Sequence, residues 1–97
     1  MSFWVYILRC SDGSYYTGHT ERLEQRIAEH EGGGIASYTS ARRPVELVFS
    51  EEFSSREEAL ASERQIKNWS RRKKEALMRK DWVEVARLAR ATLHQPE

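Results

Sequence analysis

The chain has 97 residues, 39% of them hydrophobic and 32% charged, with a formal net charge of +1. That length supports one modest core and therefore one site, and the composition is that of a folded chain rather than a disordered one. The longest apolar run, Phe3 to Leu8, is far short of the roughly 20 residues a membrane span needs, and nothing resembles a signal peptide, which points to a cytoplasmic protein with no membrane partner. Cys10 is the single cysteine; it excludes an internal disulfide and a cysteine-rich metal centre, and reads as a small strand residue.

Phe3 to Leu8 is β-branched and aromatic, and apolar on both alternations, as expected of a central strand covered on both faces. Ser11-Asp12-Gly13-Ser14 supplies turn chemistry, with Gly13 free to take a positive φ, and Tyr15-Tyr16-Thr17 returns as a second strand. This hairpin sets two tyrosine-bearing segments side by side. Thr20 is expected to cap a helix over residues 21–30, with Leu23 and Ile27 as its buried stripe and Arg26 and His30 bordering it. Gly32-Gly33-Gly34 ends that helix and opens a loop through Arg42-Arg43-Pro44. No Gly-Lys-Ser/Thr follows the glycines, so they form no P-loop.

A third strand is expected over residues 45–50. Ser54-Ser55-Arg56-Glu57 resembles a capping box with Ser54 at the N-cap, opening a helix to about Trp69 whose apolar face is Ala59, Leu60 and Ile66. A short basic helix, Arg71 to Arg79, follows. Asp81-Trp82-Val83-Glu84 can cap a last helix, with Trp82, Val85, Ala86, Ala89 and Leu93 as its stripe. The order β-β-α-β-α-α-α implies an α/β fold, a small three-stranded and mainly antiparallel sheet flanked by helices. The domain is expected over residues 1–80, with the C-terminal helix and tail, 81–97, packed on it.

The small net charge hides segregation. Between residues 64 and 80, eight basic side chains face only Glu75, a local charge of +7. Such a field attracts phosphates, although a solvated helix face explains the same run equally well. Glu63 projects among Ala59, Leu60 and Ile66, inside an apolar face. A carboxylate placed there needs a cation: a divalent metal, or Lys67 at i+4. Tyr6 and Tyr16, taken singly, are ordinary sheet residues. Arg26 on the next helix changes their meaning, because a guanidinium can grip a phosphate while a phenol orients or deprotonates water. His30, one turn on, can assist proton transfer or cap the helix end.

Val5-Tyr6-Ile7 and Tyr16-Thr17-Gly18, followed by Arg26, His30, Tyr38 and Glu63, resemble the GIY-YIG nuclease superfamily. The resemblance covers about residues 3 to 77. It is nearest to short single-domain bacterial members, which carry segments like Tyr38-Thr39, Arg42-Arg43-Pro44 and Glu63 to Lys67. The chain is also similar to the nuclease domain of the Slx-type structure-specific endonuclease subunit and to the amino-terminal domain of the excision-repair nuclease UvrC. Val5 stands where the family name has Gly, and Thr17 where it has Ile; neither change removes a functional group. Asn68 is one candidate for a supporting family asparagine.

This resemblance implies a metal-dependent endonuclease acting on nucleic acid, DNA before RNA. It assigns Tyr6, Tyr16, Arg26, His30 and Tyr38 to catalysis and Glu63 to one divalent cation, Mg2+ or Mn2+. Within the family scheme Tyr6 takes the proton of the attacking water, which for a phenol with an ordinary pKa near 10 calls for nearby positive charge. Arg42, Arg43, Lys67, Arg71, Arg72, Lys73 and Lys74 are the expected phosphate-binding cations. Two other readings stay open. One is a nucleic-acid-binding module of the same fold that cuts poorly without a protein partner for targeting. The other is an interaction protein docking through Trp69 and Trp82.

Overall fold

Strand β1, Phe3–Arg9, lies at the centre of a three-stranded antiparallel sheet of order β2-β1-β3, between β2, Tyr15–Thr20, and β3, Glu46–Phe53. Val5, Ile7 and Leu8 are fully buried and Tyr6 is 1% exposed, the consequence of covering a central strand on both faces. This computed structural model describes residues 2–32, 39 and 41–93, with side chains through residue 88. Both flanking strands run further than the sequence predicts. The reason is the length of β1: Trp4 pairs with Thr20 and Phe3 with Phe53, so backbone groups at its start find partners on either side.

The hairpin turn forms as expected. Gly13 has φ +83°, the left-handed region that glycine adopts at no steric cost. Asp12 Oδ1 accepts from the Ser14 amide at 3.0 Å, and Arg42 Nε donates to Asp12 Oδ2 at 3.1 Å, so the turn is braced by the distant loop.

Helix α1, Leu23–Gly32, buries Leu23 and Ile27 in part against Tyr6, Leu8, Cys10 and Val45. Thr20 is not its cap. It ends β2, and its Oγ1 accepts from the Arg22 amide at 3.1 Å; Arg22 takes the cap position, its carbonyl receiving the Arg26 amide at 2.9 Å. Helix α2, Arg56–Lys67, likewise starts one residue late, because β3 extends to Phe53. Its cap is Ser55 rather than Ser54: Ser55 Oγ accepts from the Glu58 amide at 3.2 Å, which makes Glu58 the third helical residue. Ala59, Glu63 and Ile66 form its buried stripe.

The chain divides into two compact units, Met1–Lys67 and Asn68–Glu97. In the second, α3, Arg71–Met78, packs against α4, Trp82–Leu93. Ser70 Oγ caps α3 by accepting from the Lys73 amide, and Asp81 Oδ1 caps α4 by accepting from the Glu84 amide, each at 3.2 Å. Between the two helices Lys80 adopts φ 56°, while the Lys80 amide donates to Leu77 O and the Asp81 amide to Ala76 O, each at 2.9 Å. This is a Schellman ending with lysine where glycine is usual. Trp82 is 56% exposed in the first turn of α4, so the expected stripe does not begin with it.

Candidate active site

Tyr6 and Gly18 are direct partners across the hairpin, so their side-chain directions share a sheet face. The Tyr6 phenol lies over Gly18: a Cβ built there would stand 2.6 Å from Tyr6 Oη and 3.0 Å from Tyr16 Cε1. Only a residue without a side chain leaves room for that crossing. It carries the phenol oxygen from the central strand out over β2, the edge strand. Tyr16 is on the same face, its ring centroid 6.2 Å from that of Tyr6 and 5.1 Å from that of His30.

His30 comes from the last turn of α1, and although ionisable it is only 1% exposed. Both ring nitrogens are engaged: Nε2 lies 3.0 Å from Tyr6 Oη, and Nδ1 lies 2.6 Å from Thr39 Oγ1. Burial, then the Arg26 charge, depresses the His30 pKa, so the ring is held neutral. Tyr6 is pushed up to about 12, by burial first and then by Tyr16, against the opposing pull of the Arg26 guanidinium. Positive charge beside Tyr6 is therefore present as expected, but desolvation outweighs it. Arg26 Nε is itself buried without an acceptor.

Glu63 belongs to the other face. Successive strand residues alternate, so His19, paired with Val5, points away from Gly18 and Tyr6, and its Nδ1 is hydrogen-bonded to Glu63 Oε2. Lys67 Nζ is 2.7 Å from Glu63 Oε1. Burial raises the Glu63 pKa, yet the hydrogen bonds from Lys67 and His19 together outweigh it and hold the carboxyl below its ordinary range. The carboxylate on an apolar stripe thus has two protein partners, the Lys67 ammonium and the His19 imidazole. Lys67, expected on phosphates, is one of them.

The structure brings Tyr6, Tyr16, His30 and Arg26 together on one face and Glu63, His19 and Lys67 on the other. The two sets approach at the β2 edge, where Arg26 and His19 line one open cleft of about 400 Å³ with Arg22, Gln25, Phe3 and Arg56. The residues expected to share one site thus stand in two sets, on either side of an edge strand. Tyr38 lies outside the described residues. Arg42 is tied to Asp12 and Arg43 is exposed. In the second unit Arg71 pairs with Glu75 at 3.4 Å, Arg72 with Glu84 at 4.0 Å, and Lys73 Nζ sits 4.0 Å from the Trp69 ring centroid. Burial lowers the Lys74 pKa.

Two site residues escaped the sequence reading. His19 had a faint signal: it is the alternate-face neighbour of Gly18 in the hairpin. Thr39 had no signal from periodicity and entered only within the Tyr38-Thr39 segment of the family resemblance, with no role assigned.

Two hairpin tyrosines lie over a glycine with a histidine beside them, and a helix-borne glutamate stands on the opposite sheet face. The family model for the GIY-YIG catalytic domain matches residues 2–76, and the chain belongs to this family of nuclease domains. Its relatives include UPF0213 proteins. That of Halobacterium salinarum is 51% identical over 73 residues, 75% of this chain and 95% of that protein. That of Bacillus pumilus is 39% identical over 92 residues, 95% and 89% of the two chains. Two structures solved in solution by NMR are similar: a UPF0213 protein from Bacillus halodurans, 49% identical with TM-score 0.53 over 79% of this chain and 82% of that one, and a protein from E. faecalis, 35% identical with TM-score 0.59 over 86% and 88%. Among the described residues no helix is long and apolar enough to cross a membrane.

Proposed function

We propose that the chain is a divalent-metal-dependent endonuclease that hydrolyses phosphodiester bonds of nucleic acid, DNA before RNA. The observation that carries this reading is the buried Tyr6 phenol between His30 Nε2, 3.0 Å away, and an Arg26 guanidinium whose Nε lacks an acceptor. The Arg26 side chain as a whole is 40% exposed, and a guanidinium presented in this way suits a phosphoryl oxygen.

The donor set fits one Mg2+ or Mn2+. A carboxylate offers about four lone-pair sites, and Glu63 uses one oxygen for Lys67 and the other for His19, which leaves capacity on both. Magnesium commonly takes one or two carboxylates and completes its shell with water and substrate phosphate. Among the described residues no group of three metal-binding side chains occurs. When bound, the cation supplies positive charge to the phosphoryl oxygens.

Because Tyr6 is pushed up to about 12, it does not wait as a phenolate at neutral pH. The proton moves in sequence: the attacking water gives a proton to Tyr6 Oη as the phenol passes its own to His30 Nε2. The water oxygen bonds to phosphorus, the bond to the leaving sugar oxygen breaks, and solvent protonates that oxygen. Arg26 holds the charge on the nonbridging oxygens, and Tyr16 orients the water. Tyr38 is assigned to this set by its place in the family pattern. Arg42, Arg43, Arg71, Arg72, Lys73 and Lys74 hold phosphates away from the cut, and Lys67 holds one once a phosphate competes with Glu63 for its ammonium.

A second reading has its own support. Both Glu63 oxygens are engaged by protein side chains, Lys67 and His19, so the site can rest closed, as in a nucleic-acid-binding module that cuts only with a partner. The test is cleavage of single-stranded, duplex, flapped and branched DNA and RNA with Mg2+ or Mn2+, using Glu63→Ala as control. Metal-dependent cutting lost in the variant supports the enzyme. Binding without cutting supports the module.

A further inference from the structure

We propose that His19 is a positioning residue: its imidazole ties the Glu63 carboxylate to the hairpin strand that the Tyr6 phenol crosses, and so fixes the one carboxylate that would hold a divalent cation. The part concerning metal rests on the function proposed above; the tie between His19 and Glu63 does not.

Glu63 has two printed neighbours of opposite origin. Lys67 Nζ, 2.7 Å from Glu63 Oε1, sits one turn along the same helix. It moves with Glu63 and cannot fix α2 relative to anything else. His19 belongs to β2, 44 residues away in sequence, and its Nδ1 is hydrogen-bonded to Glu63 Oε2. Of the two partners, only His19 joins the carboxylate to another element.

The direction of that hydrogen bond follows from the acceptor. Glu63 is ionised at neutral pH, its pKa held below the ordinary range, and a carboxylate can only accept. His19 Nδ1 therefore carries the hydrogen, whether the ring as a whole is neutral or charged.

What the tie holds together is set by the strand. Gly18 and His19 are consecutive in β2, paired with Tyr6 and Val5 of β1 respectively, and consecutive strand residues face opposite ways. On one side of this dipeptide lies the Tyr6 phenol, seated where a Gly18 side chain would be. On the other lies the Glu63 carboxylate, held by His19. The two halves of the site, separated by the sheet, thus share one reference: the Gly18-His19 peptide of the edge strand. Hydrogen-bond partners that orient a ligating carboxylate in this way typically contribute about 10–100-fold in metal affinity.

The experiment titrates Mn2+ into 15N-labelled protein without nucleic acid and reads paramagnetic broadening of amide signals around Glu63. His19→Ala is expected to need at least about tenfold more Mn2+ than wild type for the same broadening. His19→Asn, whose side-chain N–H can stand in for Nδ1–H, is expected to restore the affinity. Lys67→Met, which removes the partner on the same helix, is expected to bind Mn2+ at least as tightly as wild type. Unchanged affinity in His19→Ala, no recovery in His19→Asn, or a loss in Lys67→Met equal to that in His19→Ala overturns the proposal. Long-range 1H–15N correlation on wild type reads the tie itself: hydrogen on His19 Nδ1 is expected, and a bare Nδ1 overturns it even if His19→Ala fails to fold. Wild type that shows the Nδ1 hydrogen but no Mn2+ broadening around Glu63 removes the metal reading proposed above and leaves the tie standing.

Discussion

Gly18 lies directly beneath the Tyr6 phenol, with its missing Cβ only 2.6 Å from Tyr6 Oη and 2.8 Å from Tyr6 Cζ. Real Cβ atoms do not approach so closely, and Tyr6 is buried against His30 and has nowhere to swing. Gly18→Ala is therefore expected to cost about 1–3 kcal/mol, the usual range for overpacking, and to break the Tyr6–His30 contact. Gly32→Ala meets nothing within 4 Å and serves as the control. Urea denaturation of both variants checks the difference.

Tyr6 also sets an alkaline limit on stability. Its folded pKa, about 12, lies above the ordinary 10.0, so the folded chain holds the phenol proton more tightly than the unfolded one. The associated stabilisation is fully present below pH 10 and lost as pH rises through about 12. Two pKa units correspond to about 2–3 kcal/mol. Urea midpoints measured across that window should fall for wild type and fall less for Tyr6→Phe.

On the acid side the sign reverses. His30 and Glu63 both have depressed folded values, so each contributes stability above its ordinary pKa that is lost as pH falls. The decline should begin below about pH 6.5, from His30, and steepen below about 4.5, from Glu63. His30→Gln is expected to remove the first stage and Glu63→Gln the second, as read by chemical denaturation at a series of pH values.

Lys80 offers a gain rather than a loss. With φ 56° at the end of α3, it carries the steric cost of a side chain in the left-handed region. Lys80→Gly is expected to stabilise the chain by about 0.5–1 kcal/mol. Thermal or urea unfolding measures it.

Much of this molecule could be read from residue type and spacing. The doubly apolar Phe3 to Leu8 run announced a central strand, Gly13 its turn, and Glu63 between Ala59 and Ile66 a buried carboxylate. What could not be read was where strands stop, because pairing of Phe3 and Trp4 decides that, and it displaced both expected caps, Thr20 and Ser54. Nor did helix periodicity show that Glu63 and Tyr6 stand on opposite sheet faces. That follows from the pleat only once His19 is known to reach Glu63, a contact 44 residues apart in sequence.

The most direct test of the proposed chemistry is single-turnover cleavage by wild type, Tyr6→Phe, Arg26→Ala and Glu63→Ala, each shown to be folded, on one nucleic-acid substrate with and without Mg2+. The expected result is metal-dependent cutting by wild type, slowed at least about 10²–10³-fold in Arg26→Ala and abolished in Tyr6→Phe and Glu63→Ala. Cutting by Tyr6→Phe and Glu63→Ala at the wild-type rate would contradict it.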